Sequence, residues 1–229
     1  MKRVYFLDAA GLVIEDAAAA RLLGSRDLSR WQNLKTTGRR REFALGRAML
    51  SFVLREIGWR GACEPHIAHG GKPRLDGVEF SLAHSGDAFA LAVGDGPLGV
   101  DIERVQEFDA TTTARCFDLN ERAMVAKAAS TKVMATTLWC VKEAALKVHG
   151  RGIQEDPRLI PARPVGQDWK SVGMTVRTCE LAVANVQHVL ALAVPEEAGA
   201  PRGGLLQTLT PVSVQFGEFL ARSTRSALT

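Results

Sequence analysis

The chain has 229 residues, 46% hydrophobic and 24% charged, which is an ordinary globular balance. It is long enough for one large domain or two small ones with a substantial core. Lysine and arginine outnumber aspartate and glutamate by 29 to 25, a net charge of +4 with a pI near 9.0. This mild excess favours anionic partners without choosing among nucleic acid, a nucleotide-like cofactor and an acidic protein. Cys63, Cys116, Cys140 and Cys179 are scattered, with no Cys/His spacing of the zinc type, so free thiols in a reducing compartment are the simplest account. Asp8, Glu15 and Asp16 interrupt the N-terminal apolar run too early for a secretory leader. The apolar run 181–194 contains Asn185, Gln187 and His188 and is too short to span a bilayer. A cytoplasmic protein without a membrane partner is expected.

Residues 4–7 read as a strand, and Asp16 caps an alanine-rich helix to about Leu23. A basic segment follows, with Arg26, Arg30, Lys35, Arg39, Arg40, Arg41 and Arg47. It leads into a helical pattern over 43–57, with Leu45, Met49, Phe52, Val53 and Ile57 on one face. Gly46 inside that helix costs about 1 kcal/mol relative to Ala, so a close backbone approach, a ligand or helix packing is expected there. Residues 70–73 form a turn. Residues 78–83 and 88–93 read as two strands around a hairpin connection, His84-Ser85-Gly86-Asp87. A further strand spans 98–104.

The second half opens with a polar connection, 106–113. Helices are predicted over 114–129 and 132–149, the latter stopped by Gly150-Arg151-Gly152. A loop containing Pro157, Pro161 and Pro164 precedes strands at 174–183 and 189–194. Residues 196–204 resemble a linker. The tail 205–229 is ambiguous: Val212, Val214 and Phe216 alternate, but Pro211 precedes them.

Two stretches carry chemistry. In Gly99-Val100-Asp101-Ile102-Glu103, the carboxylates stand two apart on a strand and so project from the same face. Carboxylates side by side repel unless a cation lies between them, and a hard divalent ion is the usual answer. A solvated acidic strand end is the plain alternative. In Trp139-Cys140-Val141-Lys142-Glu143-Ala144-Ala145-Leu146-Lys147, Trp139, Glu143 and Lys147 recur every four residues along one helix face. An ordinary Glu-Lys surface pair would have the same spacing.

Together, 42 residues apart from Asp101 to Glu143, these stretches form a specific signature. It resembles that of the 4′-phosphopantetheinyl transferase superfamily, G-[VI]-D-x-E, roughly forty residues, then [FW]-[SCT]-x-K-E-x-x-x-K. The likeness covers roughly 39–153. It implies an α+β fold of the surfactin-type branch, in which two similar α/β subdomains are related by pseudo-twofold symmetry around a cleft. Here the halves would be 1–105 and 106–229. It also implies transfer of the phosphopantetheine arm of coenzyme A to a serine of an apo acyl or peptidyl carrier protein, with 3′,5′-ADP leaving. By the same likeness, Asp101, Glu103 and Glu143 hold Mg²⁺ or Mn²⁺. In that likeness Glu143 doubles as the base, Lys147 faces the leaving phosphate, and Lys142 is a further candidate phosphate contact.

Phe80-Ser81-Leu82-Ala83-His84-Ser85 resembles the family's F-[NS]-[IL]-S-H-[ST] segment, and this likeness assigns His84 and Ser85 to coenzyme A. Ala83 departs from it by lacking a hydroxyl, and a neutral hydrogen bond of that kind is worth about 0.5–1.5 kcal/mol. Lys72 and Pro73 match a G-K-P turn beside the adenine. Arg41 and Arg47 match a basic helix whose arginines suit phosphate recognition. The likeness implies a monomer that binds no nucleic acid. Three other readings stay open: a metal-dependent phosphohydrolase or nucleotidyl transferase, a basic nucleic-acid-binding module (poorly supplied with aromatics for stacking), and a nucleophilic pair of Cys140 with His84.

Overall fold

The structure, a computed structural model, describes residues 2–67, 71–150, 156–196 and 211–214. The expected stop at Arg151 and Gly152, the linker beyond Glu196 and most of the tail, Phe216 included, lie outside the described residues. The elements in order are β1 (Arg3–Asp8), α1 (Asp16–Leu22), α2 (Ser25–Gln32), α3 (Thr37–Glu56), β2 (His66–Ile67), β3 (Pro73–Arg74), β4 (Glu79–Ser85), β5 (Ala88–Gly94) and β6 (Gly99–Arg104). Then come α4 (Ala110–Cys116), α5 (Leu119–Lys127), α6 (Thr131–His149), a single 3₁₀ turn (Pro157–Leu159), β7 (Arg163–Val165), β8 (Asp168–Ser171), β9 (Met174–Val183), β10 (Val186–Pro195) and β11 (Val212–Ser213). The α+β class holds. Among the described residues, no helix is long and apolar enough to cross a membrane.

One sheet runs β11-β1-β5-β4 and a second β6-β10-β9-β8-β7. Strand alternation explains how they stack. On β5, Phe89, Leu91 and Val93 pack with Leu45, Met49 and Val53 of α3. The other face of β5 is all alanine, Ala88, Ala90 and Ala92, and meets Val100, Ile102, Leu190 and Leu192 of the second sheet. Beyond that sheet, Val189, Ala191 and Ala193 of β10 pack on Leu138, Val141, Ala144 and Val148 of α6. The order of layers is therefore helix, sheet, sheet, helix, and the small alanines allow the two sheets to approach.

β6 departs from expectation. It was to close the first half, but it is hydrogen-bonded antiparallel to β10 in the second sheet. Its other edge faces β4, where serine hydroxyls satisfy main-chain donors: Val100 N–H donates to Ser81 Oγ at 3.0 Å and Arg104 N–H to Ser85 Oγ at 3.1 Å. The expected 84–87 loop is also shorter, since β4 continues through His84 and Ser85. The 114–129 helix is two helices, divided at Phe117-Asp118, where Asp118 and Glu121 form a capping box. α3 begins six residues earlier than expected, capped by Thr36. The proline-rich loop contains the hairpin β7–β8.

Gly99 sets the distance between β6 and α6. A Cβ there would stand 2.1 Å from the Ala144 carbonyl oxygen and 2.8 Å from the Val148 nitrogen, both main-chain atoms that cannot swing aside. Gly99→Ala is expected to lower the melting temperature by roughly 4–10 °C, the range for overpacking a domain of this size. An unchanged melting temperature would show that the helix does not depend on this contact.

Candidate active site

The close approach at Gly99 brings the face of α6 that carries Glu143 and Lys147 onto the face of β6 that carries Asp101 and Glu103. Asp101 is only 4% exposed, and Val100 and Ile102 turn the other way into the core between the sheets. Lys147 Nζ donates to Asp101 Oδ1 at 2.7 Å. Asp101 Oδ2 is buried without a hydrogen-bond partner. Glu103 Oε2 accepts from Ser85 Oγ at 3.0 Å.

The charges act on one another. Burial first, then the charges of Asp101 and Glu143, push the Glu103 carboxyl up to about 7, against the pull of Ser85 and Lys147. Burial and Asp101 also raise Glu143. Burial would lower Lys147, but Asp101 chiefly, with Glu143, more than offsets it and leaves the ammonium raised. Three carboxylates thus feel the charge of one lysine, of which Asp101 alone is hydrogen-bonded to it. Among the described residues, no three His, Cys, Asp or Glu side chains converge closely enough to clasp an ion as they stand. Hard oxygen donors, one of them orphaned and buried, with mutual repulsion that a second cation would relieve, nevertheless fit Mg²⁺ or Mn²⁺ in chemical kind.

Lys147 also borders a cleft of about 470 Å³, together with Arg47, Lys72, Pro73, His84 and Gly150. The His84 imidazole leans on the Phe89 ring, 5.3 Å between centroids, and lies 4.0 Å from Glu42. Desolvation holds its pKa below the usual value, aided by Lys147 and Arg39 and opposed foremost by Glu42. A cationic cleft thus opens directly beside an acidic cluster, with Lys147 common to both.

A sequence profile places the segment that carries both motifs. Residues 97–187 match the 4′-phosphopantetheinyl transferase superfamily. Three curated relatives agree. The chain is 35% identical over 88 residues to the 4′-phosphopantetheinyl transferase psf-1 of Bacillus pumilus, over 36% of this chain and 38% of that protein. It is 34% identical over 86 residues to the transferase gsp of Aneurinibacillus migulanus, over 36% of each. It is 29% identical over 119 residues to a 4′-phosphopantetheinyl transferase of Bacillus subtilis, over 51% of this chain and 49% of that protein. The matched stretches thus span half or less of these relatives. The likeness to the superfamily and its surfactin-type branch, read from the motifs, is what these comparisons find.

Against the phosphopantetheinyl transferase pattern, the residues divide. Asp101, Glu103, Glu143 and Lys147 interact with one another, and Arg47, Lys72, Pro73 and His84 share the cleft with Lys147. Lys72 is partly spent, because its Nζ donates to Leu98 O at 3.1 Å and Val148 O at 3.5 Å, anchoring its turn to the end of α6.

Three expectations need correction. Lys142 does not line the cleft. It is fully buried, and its three N–H donors go to Glu121 Oε2 at 2.7 Å, Cys116 O at 2.8 Å and Pro157 O at 2.9 Å. Arg41 is turned away from this cleft, donating to Ala9 O and Leu12 O and pairing with Asp87. Ser85 donates its hydroxyl hydrogen bond to Glu103 and so braces a carboxylate. The Cys140–His84 pair also falls. Cys140 is wholly buried against Val189 O, and burial pushes its thiol well above the ordinary value.

Three further residues had no role assigned from sequence: Ser81, which bridges the sheets, Asp27, which pairs with Arg47, and, away from the cleft, Glu121, which pairs with Lys142. A polar residue within an apolar alternation was the available signal for Ser81. For Glu121 it was the D-x-x-E capping spacing, and Asp27 had none.

The Glu103 shift has a measurable sign. A free glutamate titrates near about 4.3, so between that pH and about 7 the folded chain keeps a proton that the unfolded chain has lost. Stability is therefore greatest at the acid end of this window and is lost as pH rises through 7. With a chelator present, wild type is expected to lose melting temperature relative to Glu103→Gln between pH 5 and pH 8. A difference that does not vary with pH would contradict the shift.

Proposed function

We propose that the protein transfers the 4′-phosphopantetheine arm of coenzyme A to a serine of an apo acyl or peptidyl carrier protein. The observation that carries this reading is Lys147, which joins a trio of carboxylates to a cationic cleft of nucleotide size. The seryl oxygen attacks the β-phosphorus of coenzyme A. The bond from that phosphorus to the bridging oxygen breaks, and 3′,5′-ADP leaves. Glu143 takes the seryl proton, a role suited to its raised pKa. Lys147 faces the charge that grows on the leaving phosphate. Arg47 and His84 bind the remote phosphate, and Pro73 with the stem of Lys72 lies along the adenine. Asp101, Glu103 and Glu143 would hold Mg²⁺ or Mn²⁺, which when bound supplies charge neutralisation to the pyrophosphate.

The two helix-on-sheet layers support subdomains 1–105 and 106–229 about a pseudo-twofold axis, with β6 shared across their boundary. Net positive charge steers an acidic carrier to the open edge of the cleft. We read the protein as a cytoplasmic monomer without nucleic-acid or membrane partners.

Incubation with coenzyme A, Mg²⁺ and an apo carrier, followed by weighing the carrier, tests this. The expected result is a gain of one phosphopantetheine arm, with coenzyme A left intact when the carrier is omitted. Release of 3′,5′-ADP without a carrier, and an unmodified carrier with one, would favour the phosphohydrolase instead.

A further inference from the structure

We infer that Asp27 is a positioning residue that holds the guanidinium of Arg47 edge-on at the cleft, so that its terminal amines are presented to an anionic ligand. The inference rests on the proposed reading of the cleft as the coenzyme A phosphate site. Asp27 is 2% exposed, and its Oδ2 accepts from Arg47 Nε at 2.7 Å. The contact uses the inner edge of the guanidinium. Among the described residues, the terminal amines of Arg47 donate no hydrogen bond within the protein, and Arg47 borders the cleft. The Phe43 ring lies 4.8 Å from Arg47 Cζ on one side and 5.5 Å from Arg30 Cζ, which fixes the plane of the guanidinium.

Asp27 is itself anchored through the main chain. α2 has no side-chain cap of its own, since Gly24 stands at its start. Glu64, 37 residues away, replaces that cap by accepting from Asp27 N–H at 2.8 Å. A Cβ on Gly24 would lie 2.5 Å from the Glu64 carboxylate, so glycine lets Glu64 in.

Arginine–carboxylate pairs frequently use both oxygens in a two-pronged fork, as Arg177 and Asp168 do in this chain. Here Asp27 Oδ1 is buried without a hydrogen bond, with Arg30 the cation at 3.9 Å. An unmade bond of that kind costs stability. That cost falls where a single-edge contact leaves the terminal amines of Arg47 unbonded at the border of the cleft.

The test is calorimetric titration of coenzyme A into wild type, Asp27→Asn, Arg47→Gln and the double variant, with transfer kinetics alongside. Asp27→Asn is expected to raise the Kd and KM for coenzyme A roughly tenfold, the worth of one well-placed charged hydrogen bond. It should leave kcat at saturating coenzyme A unchanged and add nothing on the Arg47→Gln background. If Asp27→Asn does not fold, Asp27→Glu replaces it in the same cycle and should show a smaller rise with the same coupling. Weakening by Arg47→Gln with none from Asp27→Asn, or equal losses in both backgrounds, would overturn the inference and leave the transferase reading standing. A wild type that gives no coenzyme A binding would overturn the transferase reading itself, and this inference with it.

Discussion

Lys142→Ala is expected to destabilise the protein by about 3–5 kcal/mol, the cost of leaving one member of a buried ion pair without its partner. Its ammonium is the hub of a polar knot below α6. Lys142 meets Glu121, the other oxygen of Glu121 accepts from Ala162 N–H at 2.8 Å, and Arg163 ties both Glu121 and Asp118. Phe117 lies 5.3 Å from the ammonium and completes the enclosure. Removing the lysine takes the nearest cation from the wholly buried Glu121 carboxylate, leaving it Arg163 at 3.4 Å and the main-chain donors of Asp118 and Ala162. Replacing both charges, as in Lys142→Met with Glu121→Leu, should recover much of the loss. Urea unfolding measures each. Coenzyme A affinity of the folded Lys142→Ala protein should equal that of wild type. A tenfold weaker affinity with unchanged stability would return Lys142 to the phosphate site.

Asp101→Asn is expected to reduce transfer by roughly a hundred- to a thousandfold, the usual loss on removing one preorganised electrostatic group from a reacting centre. The substitution keeps size and shape, so Gly99 and the packing of α6 should survive. Lys147 loses its partner at 2.7 Å, but its side chain is 29% exposed and can turn to Glu143 or to water. The fold should therefore lose only about 1–3 kcal/mol. Circular dichroism and thermal unfolding verify the fold, and steady-state kinetics with Mg²⁺ present measure the loss. Turnover near the wild-type rate would remove Asp101 from the chemistry.

The shared faces of the two motifs were legible because they depend on local periodicity, whereas their reading as one site rested on the 42-residue spacing and the family likeness. Asp101 and Glu103 share a face through the strand period, and Glu143 and Lys147 through the helix period. What apolar periodicity cannot supply is a charged residue on the buried side of a helix. Lys142 sits beside Glu143 and reads as another surface lysine, and only the fold brings Glu121 and the Pro157 carbonyl to it. α2 was missed because Ser25–Gln32 is mostly polar and its cap comes from Glu64. β11 was obscured by its brevity and by the preceding proline, and it exists through pairing with Tyr5 and Phe6. The division of α4 from α5 was readable from Asp118 and Glu121, a capping spacing that the apolar pattern on either side concealed.

Among the described residues, a second cavity is as large as the cleft, each about 470 Å³, so size does not choose between them as the place for coenzyme A. One lies between β4, the end of α6 and Arg47. The other is bordered by Trp31, Thr37, Arg40 and Arg41, whose guanidiniums are already bonded to main-chain oxygens. A crystal structure with coenzyme A and Mg²⁺ decides between them most directly. The pyrophosphate is expected beside Lys147, next to Asp101, Glu103 and Glu143, with the adenosine end in the cleft of Arg47, Lys72 and His84. Coenzyme A seated in the Trp31–Arg41 cavity, with no ion at the carboxylates, would contradict this expectation.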